Sequence, residues 1–498
     1  MTDTDGKKNN GDKKEDQPKR EFKEDVVDTQ HSMTIGGAEI SYTATAGNLV
    51  LKEEVEEGDE KKDGPKPVAS IFYTAYTKND VEDPITRPVT FAFNGGPGSS
   101  SVWLHLGALG PRRVYMDEIG NPPPPPFQLV DNPYSLLDVT DLVFIDPVST
   151  GYSRAVPGEK PSQFHNITKD IESVGEFIRL FLTRARRWAS PKFLIGESYG
   201  TTRGAGLAGH LQERHGLDLN GIMLVSSVLD FKTLYFHPGN DIPYILYLPT
   251  FTATAWYHKR LPDDLQSDLG AALAESKKFA QNEYSVALLK GNTLGADERA
   301  AIVRRMARLT GLDPTFIERS DLRVSDSRFF KELLREEGKT VGRLDSRFTG
   351  LDRDSAGEGA EHDPSLSMIM GPYTAMLNDY MRRELNFEND LPYEILSSRV
   401  YPWSYDKYEN QYVYVAETLR EAINRNPHLK VFVANGYYDL ATPYFATEYT
   451  FSHLGLDPSL DANISMGYYE AGHMMYIHLD SLIKLKADLA NFIQDARP

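Results

Sequence analysis

One serine of this sequence has the surroundings of a catalytic nucleophile. Residues 196–200 read GESYG, a G-x-S-x-G motif centred on Ser198. The apolar residues 192–195 precede it and a helix-forming stretch follows, so the motif occupies a sharp turn from a strand to a helix. Such a turn lifts the serine hydroxyl out of the sheet, and glycines on either side avoid a collision there. We predict that Ser198 is a nucleophile; the alternative is an ordinary strand-to-helix turn.

A serine nucleophile needs a base, and the base needs an acceptor that orients it. In hydrolases with such a turn, the order along the chain is Ser, then Asp or Glu, then His. Two later apolar stretches, 429–434 and 463–469, lead into loops that contain Asp439 and His473. Either residue alone could be an ordinary loop residue. Because the carboxyl ends of parallel strands gather site residues, we predict that Ser198, Asp439 and His473 form a triad for acyl transfer.

Acyl transfer also needs backbone donors for the negative charge that develops on the carbonyl oxygen. One predicted donor is the N–H of Tyr199, the residue after the nucleophile. The second is expected in the glycine turn that follows the apolar stretch 88–93, where Gly96 lets the backbone approach a substrate closely. Read alone, that turn could be any tight turn.

The elements that position these residues are typical of an α/β protein. Between residues 88 and 227, and again after 429, apolar strands alternate with helices, which predicts a mostly parallel sheet covered on both faces. Residues 31–76 alternate apolar and polar side chains and predict antiparallel strands that feed this sheet. The predicted domains are a disordered charged tail (1–28), a first core part (29–230), an inserted and mainly helical cap (231–395) and a second core part (396–498).

The helical patterns of the predicted cap cover residues 261–279, 296–310 and 328–337. Tyr- and Pro-rich stretches such as 241–257 accompany them. An apparent calcium-loop opening at residues 352–357 has no glutamate at the required offset. We therefore predict no metal site and read that segment as an acidic loop.

Composition limits the class of partner. The chain of 498 residues has 72 acidic and 54 basic side chains, a formal charge of −18, which argues against nucleic acid or an anionic membrane as the main partner. It has no cysteine, so disulfides, thiolate nucleophiles and cysteine-bound metals are excluded.

Residues 1–25 contain no signal-peptide core and no apolar run is long enough to span a membrane. We expect a cytoplasmic enzyme, or a secreted or periplasmic one if a leader has been removed; the oligomeric state stays open.

Seven motifs, in order and at consistent separations, resemble the serine carboxypeptidase family. They are FNGGPGSSS, LGALGP, NPYSLLD, DPVSTGYS, IGESYG, NGYYDLAT and AGHMMY. The resemblance covers roughly residues 85–230 and 395–498, whereas the predicted cap is recognisable only by its position. It implies an α/β-hydrolase fold with an inserted cap.

The resemblance also implies roles for individual residues. These are a triad of Ser198, Asp439 and His473, oxyanion donors at Gly96 and Tyr199, a site for the substrate's C-terminal carboxylate at Asn94, Gly95 and Glu197, and a wall of the leaving-residue pocket at Met474. A substrate carboxylate beside Glu197 is tolerable only if the two groups share a proton, because close like charges raise one pKa.

Two positions depart from the family pattern. Ser99 stands where the family commonly has a cysteine, which fits a reducing compartment. Ala108 stands where many members place a second glutamate that pairs with the one before the serine, so Glu197 is expected to lack its usual companion. We therefore predict a pH optimum less acidic than is usual for the family.

The sequence as a whole predicts a serine carboxypeptidase that releases C-terminal residues from peptides with a free C-terminus and needs no cofactor. Two alternatives stay open. An acyltransferase or esterase would use the same triad, and a binding protein on a hydrolase scaffold would have no use for it.

Overall fold

The computed structural model describes residues 24–54 and 65–497. In chain order their strands are β1 Val26–Ile35, β2 Ala38–Glu53, β3 Lys66–Lys78, β4 Val89–Phe93, β5 Arg112–Val114, β6 Leu129–Asp131, β7 Asp141–Ile145, β8 Arg154–Ala155, β9 Lys192–Glu197, β10 Gly221–Val225, β11 Lys339–Val341, β12 Thr349–Leu351, β13 Lys430–Gly436 and β14 Ile464–Tyr469. Strands β4, β7, β9, β10 and β13 are almost wholly apolar and buried, as expected for strands covered on both faces.

One large sheet organises these residues. Its strand order is β1-β2-β3-β7-β4-β9-β10-β13-β14, and β8 pairs with β3. From β7 to β14 neighbouring strands run parallel, whereas β1, β2 and β3 pair antiparallel with one another and β3 pairs antiparallel with β7. The predicted fold class, a mostly parallel sheet preceded by antiparallel strands, is confirmed.

The helices of the described residues flank the sheet or lie between β10 and β13. They are α1 Val102–Leu104, α2 Ile167–Arg184, α3 Tyr199–His215, α4 Ile242–Tyr257, α5 Asp263–Gln266, α6 Leu269–Phe279, α7 Ser285–Lys290, α8 Ala296–Thr310, α9 Pro314–Arg319, α10 Asp326–Glu332, α11 Pro364–Arg383, α12 Ala416–Arg425, α13 Tyr444–Ser452 and α14 Leu479–Asp495. Among these residues no helix is long and apolar enough to cross a membrane.

Alternate side chains of each central strand enter separate hydrophobic clusters on the two faces. On β9, for example, Phe193 and Ile195 face one cluster and Leu194 faces the other. Helix α14 packs on the first face, and α2, α3 and α12 pack on the second. The sheet is therefore held between two layers, which fixes the directions in which its strand ends point.

Residues 226–429 leave the sheet after β10 and return to its neighbour β13. This insertion contains helices α4 to α12, of which α12 packs on the sheet, and a third hydrophobic cluster that includes Tyr438 and Leu440 lies beside the β13 strand end. The bounds of the predicted cap, 231–395, stay a prediction. Helix α4 occupies 242–257, which the sequence did not predict as helix, and α11 was not predicted either. Helix α4 is buried on most sides, so its sequence has no amphipathic period, and it contains Pro249, a residue that usually breaks a helix.

The predicted end of the charged tail at residue 28 is wrong. Strand β1 begins at Val26, and it pairs with β2 from its first residue onward. The predicted disorder of residues 1–23 concerns a segment outside the described residues.

Candidate active site

The turn at Ser198 has the strained backbone of a nucleophile elbow. Ser198 joins the end of β9 to the start of α3 with φ 60° and ψ −130°, a conformation that L-residues rarely adopt. A side chain at Gly196 would lie 2.2 Å from the Gly200 carbonyl oxygen, so the turn has no room for a Cβ there. The amide of Ser198 donates to the Val225 carbonyl oxygen at 3.0 Å. This contact ties the elbow to the end of β10.

The structure brings Asp439 and His473 together at the ends of β13 and β14. His473 Nδ1 lies 2.8 Å from Asp439 Oδ2, and both side chains are buried. The other carboxylate oxygen accepts the amides of Ala441 and Thr442 at 2.8 and 2.9 Å, and the Thr442 hydroxyl donates to Oδ2 at 2.7 Å. Asp439 is thus held by the loop after β13 and in turn fixes the imidazole, which leaves Nε2 as the nitrogen that can accept a proton.

Ser198 and His473 are joined through the end of β10. Ser226, next to the residue that holds the Ser198 amide, donates its hydroxyl to the His473 carbonyl oxygen at 2.6 Å. Among the described residues no hydrogen bond joins the Ser198 hydroxyl to the imidazole. Such bonds are often long in unliganded hydrolases and tighten with substrate.

The two predicted oxyanion donors lie on adjacent turns. A Cβ at Gly95 would be 2.4 Å from the Tyr199 amide nitrogen, so the turn after β4 packs directly against the elbow. Gly96 is exposed and has φ 99°, a value that favours glycine. Within the described residues neither the Gly96 nor the Tyr199 amide donates a hydrogen bond. Both N–H groups are therefore available to a ligand oxygen.

Glu197 forms a buried polar cluster with Asn94 and Tyr476. Asn94 Nδ2 donates to one carboxylate oxygen at 3.0 Å, and the Tyr476 hydroxyl donates to the other at 2.6 Å. Asn94 is itself fixed, because its Oδ1 accepts the Leu104 amide at 3.1 Å and its carbonyl oxygen accepts from Arg203 at 2.6 Å. The carboxyl of Glu197 therefore has two donors although position 108 is alanine.

Electrostatics give Glu197 and His473 unusual titration. Burial raises the pKa of Glu197 to about 7, against the attraction of His473 and the hydrogen bond from Tyr476. Burial would lower the pKa of His473, but the charge and hydrogen bond of Asp439 raise that pKa above its ordinary value. Glu197, directly before Ser198, therefore titrates near neutral pH, and the pKa of His473 is raised by its carboxylate partner; perturbed pKa values of this kind are typical of catalytic sites.

A segment of the insertion, residues 343–346, holds both triad loops through its backbone. The carbonyl oxygen of Leu344 accepts the His473 amide at 2.6 Å, and that of Arg343 accepts the Leu440 amide at 3.1 Å. The Asp345 carboxylate accepts the Gly472 amide at 3.1 Å. A buried ion pair of 2.7 Å with Arg347 keeps Asp345 in place. The insertion therefore braces the loops that carry Asp439 and His473.

Met474 is 4% exposed and belongs to the hydrophobic cluster on the α14 face. Its predicted role in a leaving-residue pocket stays a prediction. In the described part of the chain, no group of three or more His, Asp or Glu side chains could hold a metal ion.

Three kinds of site residue escaped sequence reasoning. Thr442 and Tyr476 follow Asp439 and His473 by three positions, but their types alone do not indicate a polar contact. The 343–346 segment acts through the carbonyl oxygens of Arg343 and Leu344 and the carboxylate of Asp345, and no local sequence pattern marks these contacts. Ser226 could have been suspected, because it directly follows a buried strand that neighbours the elbow.

The parallel sheet, the strained serine at a strand-to-helix turn and the Asp–His pair at later strand ends define the α/β-hydrolase class. The family model described as serine carboxypeptidase matches residues 64–473, and the chain belongs to this family. All the predicted site residues except Met474 lie within the matched range.

Individual relatives are more distant. The chain is 29% identical over 163 residues to the pheromone-processing carboxypeptidase KEX1 of Yarrowia lipolytica, which covers 32% of this chain and 24% of that protein. It is 29% identical over 169 residues to a carboxypeptidase Y homolog A of Talaromyces stipitatus, covering 33% and 28%. These alignments span less than a third of either relative.

The same fold is seen in a crystal structure. The prohormone-processing carboxypeptidase Kex1(delta)p of Saccharomyces cerevisiae aligns with a TM-score of 0.55 and 16% identity, over 92% of each chain.

Proposed function

We propose that this protein is a serine carboxypeptidase that removes C-terminal residues from peptides through an acyl-enzyme on Ser198. The observation that carries the proposal is the arrangement at the elbow. Ser198 is followed by a free amide and preceded by Glu197, whose buried carboxyl is bound to Asn94. A buried acid at this place fits a site for a substrate carboxylate, because two close acids can share one proton.

In the proposed reaction, Ser198 Oγ attacks the carbonyl carbon of the last peptide bond while His473 Nε2 takes its proton. The Gly96 and Tyr199 amides hold the resulting oxyanion, an interaction worth about 3–4 kcal/mol per donor. The intermediate collapses as His473 gives the proton to the leaving amine, which departs as a free amino acid. Water, activated by the same imidazole, then cleaves the ester and restores the serine. Asp439 holds the imidazole in the tautomer that this exchange requires.

Selection of a free C-terminus is assigned to Asn94, Gly95 and Glu197. The Asn94 amide and the Gly95 backbone would donate to the substrate carboxylate, and Glu197 would share one proton with it. The raised pKa of Glu197, about 7, supports this role because much of the carboxyl keeps its proton up to neutral pH, where an ordinary glutamate is ionised. Peptides with a free C-terminus are therefore the proposed substrates, and the predicted cytoplasmic location stays a prediction.

A matched pair of peptides tests the proposal. One has a free C-terminal carboxylate and the other is its amide; release of the last residue is followed by mass spectrometry. We expect the acid to be cleaved at least 100-fold faster, a difference of about 2.7 kcal/mol in transition-state binding. Ser198→Ala should lower the rate by several orders of magnitude, at least about 10³-fold.

Equal cleavage of the acid and the amide would refute the exopeptidase assignment while leaving a serine hydrolase. Full activity of Ser198→Ala would refute the nucleophile itself. Labelling of wild-type protein by a fluorophosphonate, mapped to Ser198, shows that the preparation is competent.

A further inference from the structure

The hydroxyl of Tyr476 is the shortest contact to the buried carboxyl that stands before the nucleophile. It lies 2.6 Å from Glu197 Oε2, although 279 positions separate the two residues in sequence. Tyr476 follows His473 by one turn, so the loop that supplies the base also supplies this donor. The exposed fractions of the Tyr476 and Glu197 side chains are 2% and 3%, and bulk water therefore does not compete for the contact.

We propose that Tyr476 is a positioning residue that acts through Glu197 to set how tightly the free C-terminal carboxylate of a peptide is held. This inference rests on the proposed function. Asn94 fixes one oxygen of Glu197 and Tyr476 fixes the other, so the carboxyl has a single orientation. A substrate carboxylate must bind next to the Glu197 carboxyl in this orientation. The two acids then share one proton, which prevents their repulsion.

The Tyr476 ring packs directly against Gly107, where a side chain would leave it no space. A Cβ at Gly107 would lie 2.5 Å from Tyr476 Cε2 and 2.7 Å from the Tyr373 hydroxyl oxygen. Gly107 belongs to the short π-helical turn 105–109, which faces the turn 475–477. Any larger residue at position 107 would push the ring away from Glu197.

The groups that face Glu197 come from four parts of the chain. They are Asn94 after β4, Tyr476 and His473 in the loop after β14, Asp439 after β13 and Tyr373 on α11. Burial, reinforced by the charge of Glu197, raises the pKa of Tyr476 and of Tyr373 well above the usual range. Both hydroxyls therefore keep their protons near neutral pH, whereas the pKa of Glu197, about 7, lies in that range.

The direction of the effect follows from the hydrogen bond. A donor 2.6 Å from a carboxylate stabilises the ionised form more than the protonated form, so Tyr476 holds the pKa of Glu197 below the value that burial alone would give. The carboxylate of a substrate binds well while Glu197 is protonated and poorly once it is ionised. KM for a free-acid peptide should therefore rise as pH passes through the pKa of Glu197.

Tyr476→Phe removes the donor and keeps the ring. We expect the rise in KM for a free-acid peptide to move to higher pH by about one to two units, because a hydrogen bond to a charged group is lost. KM for p-nitrophenyl acetate, which has no carboxylate, should show no such rise with pH in either protein. Tyr380→Phe is the matched control, since it removes another buried hydroxyl, 3.0 Å from that of Tyr76, and should leave the pH dependence of KM in place.

Two further variants test the same role, so that the result does not depend on whether Tyr476→Phe alone disturbs folding. Gly107→Ala should displace the ring and move the KM profile in the same direction as Tyr476→Phe. In a Glu197→Gln background, where position 197 does not titrate, Tyr476→Phe should cause no shift. Fluorophosphonate labelling of Ser198 verifies that each variant is folded.

The outcomes separate the inference from the proposed function. If wild-type protein cleaves the peptide acid and its amide equally, the proposed function fails before any variant is made. If the wild type prefers the acid but neither Tyr476→Phe nor Gly107→Ala moves the KM profile, the role of Tyr476 is overturned. A shift that persists in the Glu197→Gln background also overturns it.

Discussion

At the scale of single residues, the site contains two groups whose proton states must be opposite. In the proposed reaction His473 must be neutral to accept the serine proton, whereas Glu197 must be protonated to tolerate a substrate carboxylate. The charge of Asp439 raises the pKa of the first despite its burial, and burial raises the pKa of the second to about 7. The limit set by Glu197 therefore falls near neutral pH, and the limit set by His473 lies above the ordinary histidine range.

The pH dependence of kcat/KM follows from this opposition. For a free-acid peptide the rate should rise with pH as His473 loses its proton and fall as Glu197 loses its own, giving a bell with a near-neutral maximum. For p-nitrophenyl acetate the falling limb should be absent, because this ester has no carboxylate to be repelled. Rates measured across pH with both substrates check this prediction. A sharp maximum for the peptide at about pH 4–5, the range of an ordinary glutamate, would contradict it.

At the scale of elements, the triad depends on a segment far from it in sequence. The segment 343–346 accepts hydrogen bonds from backbone amides of the loops after β13 and β14, and the Asp345–Arg347 ion pair anchors it. A Cβ at Gly472 would lie 2.5 Å from the Asp345 side chain and from the Leu344 carbonyl oxygen. The close packing at Gly472 therefore determines where the next residue, His473, is held.

Gly472→Ala should separate the His473 loop from the segment 343–346, which braces it. We expect kcat to fall about 100-fold, the typical effect of a misplacement of about 1 Å. The free energy of unfolding should fall by about 1–3 kcal/mol from overpacking. Gly359→Ala is the control, since a Cβ there meets nothing within 4 Å. The measurements are peptide turnover and urea unfolding; an unchanged kcat in Gly472→Ala would show that the brace does not position the base.

At the scale of the whole molecule, the elements that could be predicted from the sequence were those whose burial leaves a clear pattern of apolar residues. The strands β4, β9, β10 and β13 are short apolar runs with turn residues at their ends, so their positions were predicted to within about two residues. The residues at their carboxyl ends could then be grouped because parallel strands share one edge. The pairing of Asp439 with His473 followed from that topology.

The insertion was harder to predict for physical reasons. Helix α4 is buried on most sides and contains Pro249, so no polar face marks its period. The 343–346 brace and the contact between Tyr476 and Glu197 join residues that are distant in sequence, and neither depends on a local pattern. Such contacts exist only once the chain is folded.

In the proposed function, peptides lose their last residue through an acyl-enzyme on Ser198. Methanol added to the reaction competes with water for that ester, so two peptides differing only in their last residue should give the same shortened peptide as free acid and methyl ester in one common ratio. Mass spectrometry of the products measures this ratio, and Ser198→Ala should give neither product. A ratio that changes with the departing residue, or a reaction that yields no methyl ester, would contradict the account.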